Sequence, residues 1–272
     1  MTALAPEDFL SGTSGQVWGV RATTRALLAD AVCDAAAWAR LTGPRLRRAA
    51  RAWPARRVLA LGIERVGVPN VLAQARAELE RSHHHLHFAS IAAADRGKFE
   101  NLNRLLEANP PGGSDWLLIV DDDVSLPAGF LDAFVFLAER FGLDLAQPAH
   151  RWRSHAAWRV TRRRPGSVLR ETAFVEIGPL CALRSVTFEQ LLPFPALRIG
   201  WGLDAHWSAV ARANHWRMGV VDATPVRHGL RRIASSYDRG AAVTEAREFL
   251  AERPYTRAVD AQRTLARHRN WT

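Results

Sequence analysis

Apolar and polar positions follow a block pattern along the middle of the chain, in which short apolar runs alternate with stretches of helical spacing. The apolar runs predict buried strands, and apolar residues spaced three and four apart predict helices between them. Strands are predicted at 58–61, 85–91, 116–120, 143–147, 172–177 and 218–221, and helices at 70–79, 99–106, 127–141, 186–192 and 204–211. This alternation is typical of an α/β fold, so we predict a mixed, mostly parallel sheet flanked by helices.

Both ends of the chain depart from this alternation. Residues 24–41 carry apolar positions at helical spacing, and residues 44–57 form a basic amphipathic segment around Leu46 and Trp53. Such a segment could lie on an anionic membrane surface or could simply be a solvated helix face. Two charged helices are predicted at 241–253 and 258–269. We therefore divide the chain into a helical extension (1–56), an α/β domain (57–235) and C-terminal helices (236–272).

The composition fits a folded domain with a strongly basic surface. The chain has 272 residues, 48% of them hydrophobic, and a formal net charge of +10, with Lys98 as the only lysine. An arginine excess is compatible with phosphates, acidic lipids or nucleic acid, and it can also reflect genomic base composition. Cys33 and Cys181 are too few for a cysteine-based zinc site or a disulfide framework. The first ten residues show no leader pattern and no run approaches the roughly 18 apolar residues of a span, so we expect a cytoplasmic protein that could touch the inner membrane face.

The first candidate site is the acidic triplet that closes the apolar run 116–120. Asp121, Asp122 and Asp123 would stand at the carboxyl end of a strand buried on both faces, where ligands bind in open α/β sheets. Three adjacent like charges need a positive partner, and Mg²⁺ or Mn²⁺ prefers carboxylate oxygen. The triplet therefore predicts a metal site, and the alternative is a solvated acidic turn before Pro127.

Two later segments add candidate groups. Gly200-Trp201-Gly202-Leu203-Asp204 permits an unusual backbone path that presents Trp201 to a cleft, and Asp204 is either a helix cap or a general base. His228 follows the strand predicted at 218–221 and is either a structural histidine or a further metal ligand. His85 and His87 would share one face of a strand, and we favour a polar strand end there over a metal pair.

The order of these blocks resembles the GT-A type of nucleotide-sugar glycosyltransferase, in particular its family-two-like branch. The blocks are also similar to those of an uncharacterised family that is best represented in plants, over residues 58–228. The shared segments are Gln147-Pro148-Ala149, Val175-Glu176, Gly200-Trp201-Gly202-Leu203-Asp204, Gly219-Val220-Val221-Asp222 and His228. Ile177-Gly178-Pro179 departs from the Met-Ala-Pro-like segment of that family.

The resemblance implies a GT-A-like, Rossmann-like sheet and a metal-dependent transfer of sugar from a UDP- or GDP-linked donor to a carbohydrate or other hydroxyl. In that scheme Asp121, Asp123 and His228 would hold Mn²⁺ or Mg²⁺, and Asp204 would deprotonate the acceptor with inversion. The remaining donor contacts would come from Leu61, Gly62, Asp95, Lys98, Asp121, Asp122, Trp201 and Gly202. Asp95 would accept from the base, and Lys98 would meet phosphate or remain a surface residue.

Two competing hypotheses accompany this one. A sugar-phosphate nucleotidyltransferase would use a similar sheet and paired aspartates, but it predicts a glycine-rich phosphate loop that residues 62–67 match poorly. A non-catalytic basic binder of nucleic acid or of an anionic membrane would leave the aspartates purely structural. We expect no nucleic-acid partner, and binding that survives loss of Asp123 would favour the non-catalytic alternative.

Overall fold

A mixed sheet runs through the protein. The computed structural model describes residues 7–40, 42–231 and 237–271. The strands are β1 (Arg57–Glu64), β2 (His85–Ala92), β3 (Trp116–Asp121), β4 (Val124–Ser125), β5 (Leu145–His150), β6 (Leu169–Thr172), β7 (Leu180–Arg184), β8 (Met218–His228) and β9 (Thr264–His268). The strand order in the sheet is β2-β1-β3-β7-β5-β8-β6-β9. Strand β4 lies outside this order and pairs with β8.

Most strands of this sheet point in the same direction. β1 pairs in parallel with β2 and β3, and β5 pairs in parallel with β8, whereas β7 and β6 run antiparallel to their neighbours. The predicted α/β class with a mixed, mostly parallel sheet is confirmed. The helices are α1 (Val20–Ala39), α2 (Thr42–Arg51), α3 (Leu72–Leu79), α4 (Lys98–Ala108), α5 (Phe130–Arg140), α6 (Phe188–Leu191), α7 (Leu203–Ala213), α8 (Arg239–Leu250) and α9 (Ala258–Ala261).

Strand β3 is covered on both faces, as its continuous apolar run predicts. Trp116, Leu118 and Val120 pack in one core cluster with α2, α3 and α5. Leu117 and Ile119 point the other way, into a second cluster with α4, α7 and α8. Because both faces are packed, the end of β3 is held in a fixed position at the edge of the core.

The basic segment 44–57 does not present its apolar side to a surface. Leu46 and Ala50 of α2 are buried in the core, and Trp53 packs against it while donating its indole N–H to Glu139 Oε2 (2.6 Å). This segment therefore cannot offer those residues to a membrane, because they already stabilise the packing of α2 on α5. Across the residues that the structure describes, no helix combines the length and apolarity of a transmembrane span.

Two predicted elements differ in the structure. Residues 264–268, predicted as helix, form strand β9, which pairs with the open edge of β6. The predicted strand 172–177 is shifted toward the N-terminus, because only Leu169–Thr172 pairs with β8 and β9. In both cases an available sheet edge, which local sequence does not reveal, decides the conformation.

The basic stretch 151–170 is largely satisfied inside the protein. Arg162 donates to the carbonyl oxygens of Arg151, Trp152, Ser154 and Ala156, and Arg163 pairs with Asp34 (2.7 Å). Arg170 is fully buried on β6 and pairs with Asp222 of β8 (Nε to Oδ2, 2.9 Å). These arginines fasten the long loop after β5 to its surroundings, so they are neither a phosphate site nor a solvated surface.

We expect Asp222→Asn to lower the free energy of unfolding by about 2 kcal/mol, because Arg170 would stay buried without a countercharge. Chemical denaturation monitored by circular dichroism measures this loss. Asp260→Asn is the matched control, since Asp260 makes only an exposed pair with Arg263 and should change stability by less than about 0.5 kcal/mol. Equal stability of the Asp222→Asn variant and the wild type would contradict the assignment of this ion pair.

Candidate active site

A cavity of about 560 Å³ opens beyond the carboxyl ends of β1 and β3. Its walls come from the ends of these strands, the starts of α4 and α7, and the loop after β6. It is large enough for a nucleotide-sized ligand. Among its lining residues are Arg65, Asp95, Lys98, Asp121, Asp122, Asp123, His150, Glu176, Trp201, Gly202, Asp204, His228, Arg231 and Tyr237.

Asp123 and His228 meet in this cavity because β4 pairs with the end of β8. The pairing sets Val124 opposite His228, and Asp123 Oδ2 lies 3.2 Å from His228 Nε2. Burial alone would lower the pKa of His228, but the hydrogen bond with Asp123 outweighs it and raises that pKa. Burial likewise opposes the charged form of Asp123, and His228, Arg231 and Arg65 hold its pKa below the usual range.

The donor set at this point suits a divalent cation. His228 donates its Nδ1–H to the carbonyl oxygen of His155 (3.1 Å), so Nε2 is the nitrogen that would ligate once a cation displaces the proton it shares with Asp123. Asp123 Oδ1 is buried and has no hydrogen-bond partner among the described residues. Asp123 Oδ2 and His228 Nε2 are adjacent, and together they would offer Mn²⁺ or Mg²⁺ a carboxylate oxygen and an imidazole nitrogen.

Asp122 is occupied by arginines. It is 1% exposed and accepts from the Arg65 backbone N–H (2.9 Å), from Arg65 Nη2 (2.9 Å) and from Arg231 Nη2. Arg231 Nη2 also lies 3.3 Å from Asp123 Oδ2. The middle aspartate of the triplet thus fastens two guanidinium groups beside Asp123, and its oxygens are not available to a ribose.

Asp121 forms an ion pair with the only lysine of the chain. Its Oδ1 lies 2.7 Å from Lys98 Nζ, which also donates to the carbonyl oxygen of Ile177 (3.3 Å). Burial lowers the pKa of Lys98, but Asp121 more than compensates, so the pKa is raised and the ammonium stays charged. Lys98 therefore faces the cavity from the start of α4 and is not a surface residue.

Asp204 and Glu176 bring two further carboxylates to the cavity. Burial, together with the nearby Glu176 carboxylate, raises the pKa of Asp204 to about 7. Asp204 Oδ1 accepts from the N–H of Ala205 (2.9 Å), which fixes the carboxylate at the start of α7. A carboxylate that titrates close to neutral pH is suited to general-base catalysis.

Glu176 is held by two residues of β5. His150, which is 1% exposed, lies with Nε2 3.0 Å from Glu176 Oε2, and Gln147 Oε1 accepts from the Glu176 backbone N–H (2.5 Å). Burial lowers the pKa of His150 despite the pairing with Glu176, so a neutral imidazole donates to the carboxylate. This arrangement keeps the Glu176 charge in the cavity near Asp204.

The remaining predicted residues divide between the cavity and the core. Trp201 and Gly202 line the cavity, with Trp201 donating its indole N–H to Tyr237 Oη (2.9 Å), and Asp95 lies exposed at the rim. Leu61 is fully buried and Gly62 faces Leu72 and Phe88, where an added Cβ would lie 2.9 Å from Leu72. The prediction that Leu61 and Gly62 border a nucleoside does not match these positions, because Leu61 packs in the core with α4 and α7, and Gly62 faces α3 and β2.

Sequence analysis assigned no role to several residues that shape this cavity. Glu176 belongs to the Val175-Glu176 segment of the family resemblance. Its position directly after the apolar pair Phe174-Val175 is the sequence feature that could have marked it as a candidate site residue. Arg65 and Arg231 reach Asp122 from loops 57 and 109 residues away along the chain. No local pattern indicates such long-range pairing.

A histidine cluster lies at the opposite end of the sheet. Within residues 7–40, 42–231 and 237–271, one group of three histidine, cysteine or acidic side chains lies close enough together to share a metal ion. It consists of His83, His84 and Asp132. His84 Nδ1, however, accepts from the backbone N–H of Arg56 (3.1 Å), so Nε2 carries the proton in the neutral ring and cannot ligate. His87 lies elsewhere, bonded to Asn109 Oδ1 (2.7 Å), so His85 and His87 form no metal pair.

Comparisons with known proteins give structural neighbours and no sequence relatives. No family model matches the chain, and no curated protein sequence matches it. Similar folds include GalNAc-T7 with UDP, GalNAc and Mn²⁺ (TM-score 0.48, 9% identity, 72% of this chain and 48% of that one). S. aureus TarS residues 1–349 with UDP-GlcNAc gives a TM-score of 0.47 at 12% identity, with 72% of this chain and 65% of that one covered. The catalytic domain of Drosophila β1,4-galactosyltransferase 7 with xylobiose gives a TM-score of 0.45 at 14% identity, with 68% of this chain and 75% of that one covered.

Proposed function

We propose that this protein is a metal-dependent glycosyltransferase of GT-A type that moves a sugar from a nucleoside-diphosphate donor to an acceptor hydroxyl. The observation that carries the proposal is the single cavity in which the Asp123–His228 pair faces the same space as Asp204. Transfer needs both elements, because one must neutralise the departing diphosphate and the other must take a proton from the acceptor.

The donor diphosphate would bind at the end of β3. Asp123 and His228 would hold Mn²⁺ or Mg²⁺, which supplies Lewis-acid stabilisation of the diphosphate charge when it is bound. Lys98, Arg65 and Arg231 line the same side of the cavity and add positive charge beside the aspartates. Cations fixed by Asp121 and Asp122 need no rearrangement as the leaving group becomes more negative.

The acceptor hydroxyl would bind near Asp204. Its carboxylate takes the hydroxyl proton as the oxygen attacks the anomeric carbon, and the bond to the diphosphate oxygen breaks on the opposite side of the sugar. Burial, reinforced by the Glu176 carboxylate, keeps the pKa of Asp204 high enough for proton transfer close to neutral pH. Direct displacement of this kind predicts inversion at the anomeric carbon.

Trp201 offers the donor or acceptor sugar an aromatic face, positioned by its hydrogen bond to Tyr237. We expect Trp201→Ala to raise KM about tenfold, equivalent to about 1.4 kcal/mol of lost binding, with a smaller change in kcat. Steady-state kinetics with the donor that the wild type turns over measures KM and kcat separately. Tyr237→Phe removes the hydrogen bond but leaves both rings, so its KM should rise less than that of Trp201→Ala. An unchanged KM in Trp201→Ala would remove the sugar contact from the proposal.

The competing enzyme class is not favoured by the loop after β1. A nucleotidyltransferase would use backbone N–H groups of that loop for a triphosphate, whereas the Arg65 backbone N–H donates to Asp122. Non-catalytic nucleic-acid binding does not account for Asp204 and Glu176 in the same cavity as Asp123.

Product analysis tests the proposed function. The full-length chain would be incubated with UDP- and GDP-linked sugars and Mn²⁺ or Mg²⁺, and release of the nucleoside diphosphate followed by chromatography, with and without a chelator. We expect one donor to be hydrolysed slowly and only with metal, and the anomeric configuration of the sugar product to be inverted by NMR. Release of a nucleoside monophosphate and pyrophosphate from a triphosphate would instead support nucleotidyl transfer.

A further inference from the structure

Helix α1 turns its large apolar side chains to solvent. Val20, Leu28, Val32 and Trp38 are 83%, 63%, 57% and 79% exposed, respectively. Successive residues of a helix are rotated by about 100°, so these four positions lie on one side of α1, within about 140° of its circumference. Leu27, Ala31 and Ala35 lie on the same side, and the seven residues together form an apolar stripe. The stripe therefore runs the full length of a helix of 20 residues, and Arg21 in the first turn is the only charged side chain within it.

The opposite face of α1, on which Ala26, Asp30 and Cys33 are buried, attaches the helix to the protein. Asp30 is 4% exposed and accepts from the backbone N–H groups of Trp152 (2.9 Å) and Arg153 (3.0 Å). Asp34 pairs with Arg151 and with Arg163 (2.7 Å to Nη1). Because these contacts fix the rotation of the helix, the apolar stripe is held outward, which is the reverse of an ordinary surface helix.

Helix α1 and the chain that follows it to β1 are strongly basic. Residues 20–57 contain nine arginines against two acidic residues, and those two are Asp30 and Asp34, which already have arginine partners. The arginines Arg21, Arg25, Arg45, Arg47, Arg48 and Arg51 are exposed. A second copy of this chain on the stripe would bring two such regions together, so like charges oppose self-association and favour an anionic partner.

We propose that α1 docks this protein in the plane of an anionic lipid surface, with its apolar stripe among the acyl chains and the neighbouring arginines on the headgroups. The helix lies on the surface and does not cross it, because its other face is bonded to the loop after β5. Trp18, at 71% exposure, and Trp38 stand at the two ends of the stripe, the placement that indoles favour at a lipid–water boundary. The apolar side chains that enter the lipid therefore belong to α1, and not to the basic segment 44–57. This docking does not depend on the reaction proposed above.

Vesicle flotation of the full-length chain tests this proposal. The vesicles would contain phosphatidylcholine alone or equal parts of phosphatidylcholine and phosphatidylglycerol, in low and high salt. The test variant is Leu28→Gln with Val32→Gln and Trp38→Gln, all at exposed positions. The matched control is Val186→Gln with Val259→Gln and Leu265→Gln, since these residues are 55%, 76% and 60% exposed elsewhere on the surface.

We expect the wild type and the control to float with the anionic vesicles, and the α1 variant to bind at least about tenfold more weakly. Circular dichroism and the thermal unfolding midpoint of both variants should match those of the wild type, so that loss of flotation reports on docking alone. Equal flotation of the α1 variant and the wild type would overturn the proposal, because binding would then depend on charge without the stripe. Analytical ultracentrifugation showing a dimer of the wild type that the α1 variant loses would also overturn it, in favour of a second copy on the stripe.

Discussion

Replacing Asp204 by Asn is expected to reduce transfer about 10³-fold while making the folded protein more stable. The amide keeps the hydrogen bond from Ala205 but cannot take a proton from the acceptor hydroxyl. The loss should appear in kcat with little change in donor affinity, because in the proposed function the donor diphosphate binds at Asp123 and His228. Single-turnover kinetics with saturating donor measures it.

The gain in stability follows from the raised pKa of Asp204. In the unfolded chain this carboxyl titrates at its ordinary value of 3.8, whereas in the fold it titrates at about 7. Between these values the folded state holds a proton that the unfolded state has lost, so stability of the wild type falls as pH rises through this window. Asparagine carries no such charge, and we expect it to stabilise by about 1–2 kcal/mol above pH 7 after allowance for solvent screening in the open cavity.

Thermal denaturation at several pH values separates these effects. The difference between Asp204→Asn and the wild type should be small near pH 4 and largest above pH 7. Asp260→Asn, at an exposed site on α9, is the control and should show neither the activity loss nor the stability gain. A variant that keeps its activity, or that is less stable than the wild type at pH 8, would remove Asp204 as the catalytic base.

The second large effect is expected at Asp123. Replacing it by Asn removes the carboxylate that faces His228 Nε2, so affinity for Mn²⁺ should fall at least about 100-fold and metal-dependent donor binding should fall with it. Asp122→Asn provides a contrast on the adjacent residue. It weakens the anchor of Arg65 and Arg231, so we expect about 1–2 kcal/mol of lost stability and much smaller loss of metal affinity.

Asp115→Asn controls for the charge change itself. Asp115 directly precedes β3, at the end remote from the cavity, and its carboxylate only accepts from the backbone N–H of Arg57 (2.8 Å). Calorimetric titration with Mn²⁺ should give wild-type affinity for this variant. If Asp122→Asn lost metal as completely as Asp123→Asn, the assignment of separate roles to these neighbours would be wrong.

The sequence predicts the sheet well because its strands are defined by local pattern. The run 116–120 is apolar at every position, and it forms the strand packed on both faces. Asp121 ends β3 and Asp204 lies in the first turn of α7, as the sequence predicts, whereas His228 lies at the end of β8, seven residues beyond the predicted strand. Asp123 reaches His228 because β4 pairs with β8, which no local pattern indicates. The sequence fails at 264–268, where the free edge of β6 converts a predicted helix into β9.

The parts of the site that sequence analysis missed depend on long-range pairing. Nothing near Asp122 indicates that two arginines from distant loops will occupy it, and nothing near Asp121 indicates Lys98. The apolar spacing of residues 24–41 predicts a helix but does not tell which way the stripe points. Its outward orientation follows from contacts of Asp30 and Asp34 with the loop after β5.

The close pairing of acids and bases in the cavity has a functional consequence. Asp121 pairs with Lys98, and Asp122 pairs with Arg65 and Arg231, so several cations are fixed beside Asp123 without exposing a large unbalanced charge. A bound diphosphate would exchange these contacts for its own oxygens. Such a site should discriminate strongly by phosphate charge and only weakly against changes at the rim near Asp95.

The most direct test of the central proposal is calorimetric titration of the wild-type chain with UDP, GDP and the corresponding monophosphates, with Mn²⁺ and with a chelator. We predict that at least one diphosphate binds with Mn²⁺, that its monophosphate binds about tenfold or more weakly, and that the chelator abolishes the difference. Failure of both diphosphates to bind, or binding of equal strength with the chelator present, would contradict a metal-held diphosphate at Asp123 and His228.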